Sequence, residues 1–156
     1  MSRQALLILA MAAVAACASG RGGSALYRKD VGTASLSEAV SLGLRIAQQF
    51  HYEIFQIDTV TEIRILTHWK TRRPFADELA LGVTSAETRM LIVGRQRGHT
   101  DMGSIYNVNV TLENRVQVAG SEDWNESLNT EMFRRHADEI TGEYRKLITA
   151  IGVRKF

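Results

Sequence analysis

The chain of 156 residues carries one cysteine, Cys17, and one proline, Pro74. A single thiol excludes an intramolecular disulfide, so packing alone must hold the fold. It also excludes the paired cysteines of zinc and redox motifs. Neither sign of charge dominates: 19 Lys and Arg face 17 Asp and Glu, a net charge of +2. That balance supplies no field for nucleic acid. No apolar run reaches transmembrane length either. The longest is the fourteen residues Ala5 to Ala18, which rise about 21 Å as a helix against a hydrocarbon core of ~30 Å.

What is present begins at that run. Arg3 gives a basic start, an alanine-rich apolar core follows, and small residues lead to Val14-Ala15-Ala16-Cys17. This is the order of a secretory signal. The four residues resemble the bacterial lipobox, in which an aliphatic residue and two small residues precede a cysteine. The resemblance implies cleavage before Cys17 and lipidation of that residue. Ala18 stands where aspartate would signal inner-membrane retention, so the implied address is the outer membrane, facing the periplasm. Several acyl chains bind nearly permanently, because each buried CH₂ contributes about 0.8 kcal/mol. The bland alternative is an incidental thiol in an uncut apolar segment.

Residues 1–16 are thus expected to be a lipoprotein signal peptide, 17–33 the lipidated cysteine and a flexible tether, and 34–156 a single α+β domain. Loss of 1–16 from 156 residues leaves 140, enough for one domain with a real core. Gly20-Arg21-Gly22-Gly23-Ser24 is the glycine- and serine-containing part of the tether.

Ser35-Leu36-Ser37-Glu38 has the form of a capping box. It predicts a helix over 36–50 with Leu36, Val40, Leu44, Ala47 and Phe50 on its buried face. Tyr52 to Ile57 reads as a strand and Asp58-Thr59 as a turn. Ile63, Ile65, Thr67 and Trp69 alternate with polar and basic neighbours, a half-buried strand. Pro74 ends it and opens a connection to about Thr88, with a helical turn over Phe75–Leu81. Met90 to Val93 is apolar on both faces, as a central strand requires. Gly94 marks a bulge or a close backbone approach. Tyr106, Val108, Val110 and Leu112 form a further strand, and Glu113-Asn114 reads as a turn into Arg115–Val118. A last helix over 128–151 buries Met132, Phe133, His136, Ile140, Tyr144, Leu147, Ile148 and Ile151, with Gly152 as its C-cap.

Two amphipathic helices bracketing four or five strands fit one architecture. It is a two-layer α+β domain, an antiparallel sheet with the N-terminal and C-terminal helices on one face. The run AQQFHYEIFQIDTVTEIRILTHW resembles the opening of BamC-like helix-grip domains of outer-membrane lipoproteins, in which a helix leads into an aromatic strand, an aspartate turn and a strand ending near tryptophan. The resemblance covers element order over about Leu36 to Trp69.

Few residues are placed to carry chemistry. His51, His68, His99 and His136 do not share metal-site spacings, so no metal and no cofactor are expected. His99-Thr100-Asp101 sets an imidazole near a carboxylate, yet no Gly-x-Ser-x-Gly elbow accompanies it. Turn chemistry is its ordinary reading, and no catalytic residue is assigned. Asp77-Glu78 and Glu122-Asp123 are adjacent carboxylates suited to helix starts. Lys70, Arg72 and Arg73 precede Pro74, and Arg95 and Arg97 end a later strand. Antiparallel neighbours set the two groups at opposite ends unless the connection folds Arg72 and Arg73 back into a basic rim for phosphate groups. Protection of a sheet edge is the simpler reading. Trp124, in a polar loop, is an exposed anchor or a packing residue across the sheet end. Trp124, Arg72 and Arg73 are the candidate interaction residues beside the lipidation site Cys17.

The expectation is a non-catalytic, lipid-anchored accessory or scaffold protein of the envelope, touching the membrane and a protein partner and no nucleic acid. The alternative is a module that binds lipid or another hydrophobic ligand between helices and sheet.

Overall fold

The computed structural model describes residues 26–101 and 103–153. Cys17 and the expected signal peptide lie outside the described residues. The elements are β1 (Leu26–Ser35), α1 (Leu36–Gln49), β2 (Ile54–Asp58), β3 (Ile63–Thr67), β4 (Lys70–Arg72), α2 (Ala76–Ala80), β5 (Val83–Thr100), β6 (Gly103–Val118) and α3 (Glu131–Val153). The strands form one sheet in the order β1-β6-β5-β3-β2, with β4 also pairing β5. Every pairing is antiparallel. The α+β class is as expected, with six strands rather than four or five.

Strand β1 accounts for one of the extra strands. Residues 26–33, expected as tether, pair with β6 from Leu26↔Glu113 onward. Tyr27 and Lys29 lie on the helix-covered side, where both donate to Asp138 of α3. Polar tips on a covered face hide the apolar alternation that announces a strand.

Helix α1 starts on its capping box: the Ser35 N–H donates to Glu38 Oε2 at 2.9 Å, and Ser35 Oγ accepts from the Glu38 N–H. Its fully buried face is Ala39, Leu42, Gly43, Ile46 and Ala47; of the expected stripe Ala47 is buried, Val40, Leu44 and Phe50 pack half-buried against the core, and Leu36 is exposed. Small residues win because α1 lies against the sheet and α3 together. A Cβ on Gly43 would stand 2.9 Å from Ile65 Cδ1 and 3.1 Å from Ile92 Cδ1. Tyr144 on α3 donates its hydroxyl to the Ala39 carbonyl at 2.7 Å, locking the two helices. Gly94 permits a similar approach, since its Cβ would meet Ile63 at 2.8 Å. The close-approach reading of Gly94 holds.

Helix α3 buries Phe133, Ala137, Ile140, Thr141, Tyr144 and Ile148. Met132 is exposed, and the helix continues through Gly152 to Val153, so Gly152 is not its cap. The start is held from outside: Asp77 Oδ2 accepts from the Met132 N–H at 2.9 Å.

Two further expectations fail for one reason, that tertiary partners override local signals. Val83 to Thr88 is strand rather than connection, and β6 runs unbroken through Glu113-Asn114. Asn114 is buried on the covered face and spends its side chain on neighbours described below. Trp69 is also displaced from the face assigned to it. Leu66 pairs with Leu91, whereas Lys70 pairs with Thr88, so four steps on one strand match three on β5. That extra residue at His68-Trp69 turns Trp69 onto the opposite face.

Candidate interaction surfaces

Helices cover one face of the sheet, and the register lays out the other. Across β4, β5 and β6, Thr71 opposes Glu87 and Glu87 opposes Arg115. One step along, Arg89 opposes Glu113, which opposes Leu26. Arg89 Nε lies 2.5 Å from Glu113 Oε2, and Arg115 Nε lies 2.7 Å from Glu87 Oε2. The two guanidinium groups flank Trp69 at 4.5 and 4.2 Å, and Arg115 also lies 4.6 Å from the Trp124 ring. The result is a stack of Trp124, Arg115, Trp69 and Arg89 with each cation answered by a carboxylate. Stacking and ion pairing together use up the arginines, so this ladder shields the open sheet face.

Trp124 is thus half-buried at the end of this stack. Its loop is fastened beside β6, where Asn125 exchanges backbone hydrogen bonds with Val116 at 2.8 and 3.0 Å. The packing reading of Trp124 is the one this geometry favours.

Arg72 is placed inward. Its guanidinium meets Glu78 through two hydrogen bonds of 2.7 and 2.6 Å and donates to Asn114 Oδ1 at 2.8 Å. Asn114 in turn donates to Glu78 Oε1 at 3.1 Å and to the Leu128 carbonyl at 3.0 Å. The Glu78 side chain is fully buried and that of Arg72 is 11% exposed. Burial alone would push the Glu78 carboxyl up. The Arg72 guanidinium, the Phe75 N–H and Asn114 overcome that and hold it below its ordinary value. This closed triad fastens α2 and the 119–130 connection to the sheet. Both terminal nitrogens of Arg72 are spent inside the fold and its Nε is buried, so Arg72 presents no exposed donor to a phosphate, and only Arg73 of the expected pair is exposed. Arg95 sits nine residues along β5 from the Arg72↔Ala86 pairing, about 30 Å at ~3.3 Å per residue. One basic rim does not form.

The remaining candidates are separate. His99 Nδ1 lies 3.3 Å from Ser104 Oγ at the exposed β5–β6 turn. His68 stacks edge-on to Phe55 with ring centroids 4.9 Å apart. His136 packs between Phe50 and Phe75. Burial lowers its pKa, Glu139 opposes that, and the nearby Arg72 and Lys70 add to it. Among the described residues, no group of three or more His, Cys, Asp or Glu is placed to hold a metal ion.

Two exposed apolar patches were missed by the sequence reading. The first is the edge strand β2 and its turn, where Phe55 is 59%, Ile57 46% and Val60 93% exposed. Among the described residues β2 pairs only with β3. The second is the corner after α2. Leu79, Ala80, Leu81 and Gly82 are all exposed, the two leucines 57% each. Gly82 accepts a hydrogen bond at 2.9 Å from the Ala119 N–H, so exposed Ala119 and Gly120 sit beside them. The chain matches no family profile, and no curated protein is significantly similar to it.

Proposed function

We propose that the chain is a non-catalytic, lipid-anchored scaffold of the bacterial envelope, held at the outer membrane through Cys17 and joined to a protein partner along β2. One observation carries the second half: an open sheet edge that presents Phe55, Ile57 and Val60 to solvent. Folded proteins ordinarily protect such an edge with lysine, proline or a covering segment. The sequence from Ile54 to Val60 contains neither lysine nor proline. An extended segment of a partner would add a strand there, with backbone hydrogen bonds for affinity and apolar side chains for register.

Support for the anchor is Val14-Ala15-Ala16-Cys17 with its basic and apolar flanks. The resemblance of the run AQQFHYEIFQIDTVTEIRILTHW to the opening of BamC-like domains is what suggests a place in outer-membrane assembly. A ligand-binding reading is weaker at the centre of the fold, because Gly43 brings α1 into contact with Ile65 and Ile92 and leaves no gap there.

Crosslinking and co-purification from the native envelope test this proposal. The unmodified chain should recover a discrete protein partner, and a Phe55→Lys/Ile57→Lys variant should lose it while keeping its fold. Equal recovery by both proteins, or no partner for either, would contradict it.

A further inference from the structure

The apolar corner after α2 lies at a particular end of the molecule. Strand β1 runs antiparallel to β6 and enters the sheet at Leu26↔Glu113. Its direction places the entry point on the side of Val118, Gly82 and the Leu79–Leu81 corner, and carries the chain away toward Ser35↔Ile105. Leu26 is five residues of β6 from Val118, about 17 Å at ~3.4 Å per residue. It is ten residues from Gly103 at the other end, about 34 Å on the same basis.

Between Cys17 and Leu26 there are nine residue steps. Fully extended they reach about 30 Å. An anchor at Cys17 therefore reaches the corner with slack, while the β5–β6 turn lies at the limit of its full extension. The end within reach is also the one that suits a bilayer. Leu79, Ala80, Leu81, Gly82, Ala119 and Gly120 are exposed and uncharged. At the far end Arg95, Arg97, His99 and Asp101 are exposed instead.

We infer that the Leu79–Gly82 corner, with Ala119 and Gly120, is a membrane-contacting tip that dips into the lipid headgroup region and stands the domain upright on the surface. This rests on the lipid-anchor reading. The contact is apolar rather than electrostatic, since Glu122, Asp123 and Glu126 follow the tip and are exposed. It should therefore persist in high salt. Two leucines need the anchor to keep them at the surface, and the tether does so by raising the effective concentration of the tip there.

The test supplies the anchor chemically, so that its outcome is separate from whether the cell lipidates Cys17. The chain lacking residues 1–16 is coupled through the Cys17 thiol to a maleimide phospholipid in phosphatidylethanolamine–phosphatidylglycerol vesicles. A benzophenone amino acid replaces Leu81, Val60 or Asp101, and phospholipid adducts are counted by mass after illumination. Adducts several-fold more abundant at position 81 than at 60 or 101, and unchanged in high salt, are expected. With the benzophenone in place of Ala119, Leu79→Asp/Leu81→Asp should abolish the adduct. Equal adducts at 81 and 101, a larger yield at 101 or 60, or loss in high salt would overturn the proposal.

Discussion

Glu78 has no exposed surface, and its carboxylate is matched by the bidentate guanidinium of Arg72 and by the Asn114 amide. Removing one member of such a pair leaves the other charge buried and costs about 3–5 kcal/mol. Glu78→Gln is therefore expected to lower stability at neutral pH by about 3 kcal/mol in denaturant unfolding. The pH dependence has a definite sign. Folding depresses the Glu78 pKa below its ordinary value of 4.5, so its contribution is complete above that pH. It is lost as pH falls through the lower native value. The difference between wild type and Glu78→Gln should shrink only on acidification below about pH 4.5, and a difference that stayed constant to pH 2 would contradict this. Asp77 and Asp138 also sit below their ordinary values, the former against a desolvation push and by accepting the Met132 N–H, the latter through Lys29. They belong to both proteins and cancel in the comparison.

Among the elements, α1 shows how a local stop is made without the usual residue. His51 follows the helix at φ 58°, a left-handed position that glycine occupies more easily. The Tyr52 N–H reaches back to the Ala47 carbonyl at 2.8 Å, and Lys70 of β4 donates to the Phe50 carbonyl at 2.8 Å. A cation at the helix C-terminus suits its negative dipole end. Relieving the strain by His51→Gly should raise unfolding stability by about 1 kcal/mol, measured by denaturant titration. A loss of stability would mean that the imidazole itself holds the turn.

The same elements mark what the sequence made legible. The capping box at Ser35 and the alternation in Ile63–Thr67 and Tyr106–Leu112 led to the correct helix start and strands. The Arg–Trp ladder was open to inference as well. Glu87-Thr88-Arg89 and Glu113-Asn114-Arg115 are two E-x-R runs, and antiparallel pairing sets each glutamate opposite the other run's arginine. Trp69 was not legible, because a one-residue register difference against β5 decides its face. Arg72 looked like surface charge until the fold brought Glu78 and Asn114 to it. Strand β1 was hidden because Tyr27 and Lys29 reach Asp138 across a covered face.

At the scale of the whole molecule, the fold separates its surfaces by direction. The covered face is core, and the opposite face is shielded by paired arginines and tryptophans. In the proposed reading the β2 edge takes a partner strand and the Leu79–Gly82 corner meets a bilayer. These last two assignments acquire meaning from the proposed anchor, which holds Leu26 within about 30 Å of a membrane. Without that bond the exposed leucines and the open edge would be liabilities in a free domain.

The intact mass of the protein purified from its native envelope tests that bond most directly. The expected mass is that of a chain beginning at Cys17 and carrying a diacylglyceryl group and acyl chains. A chain that begins at Met1, or one cut elsewhere with a free Cys17 thiol, would contradict it.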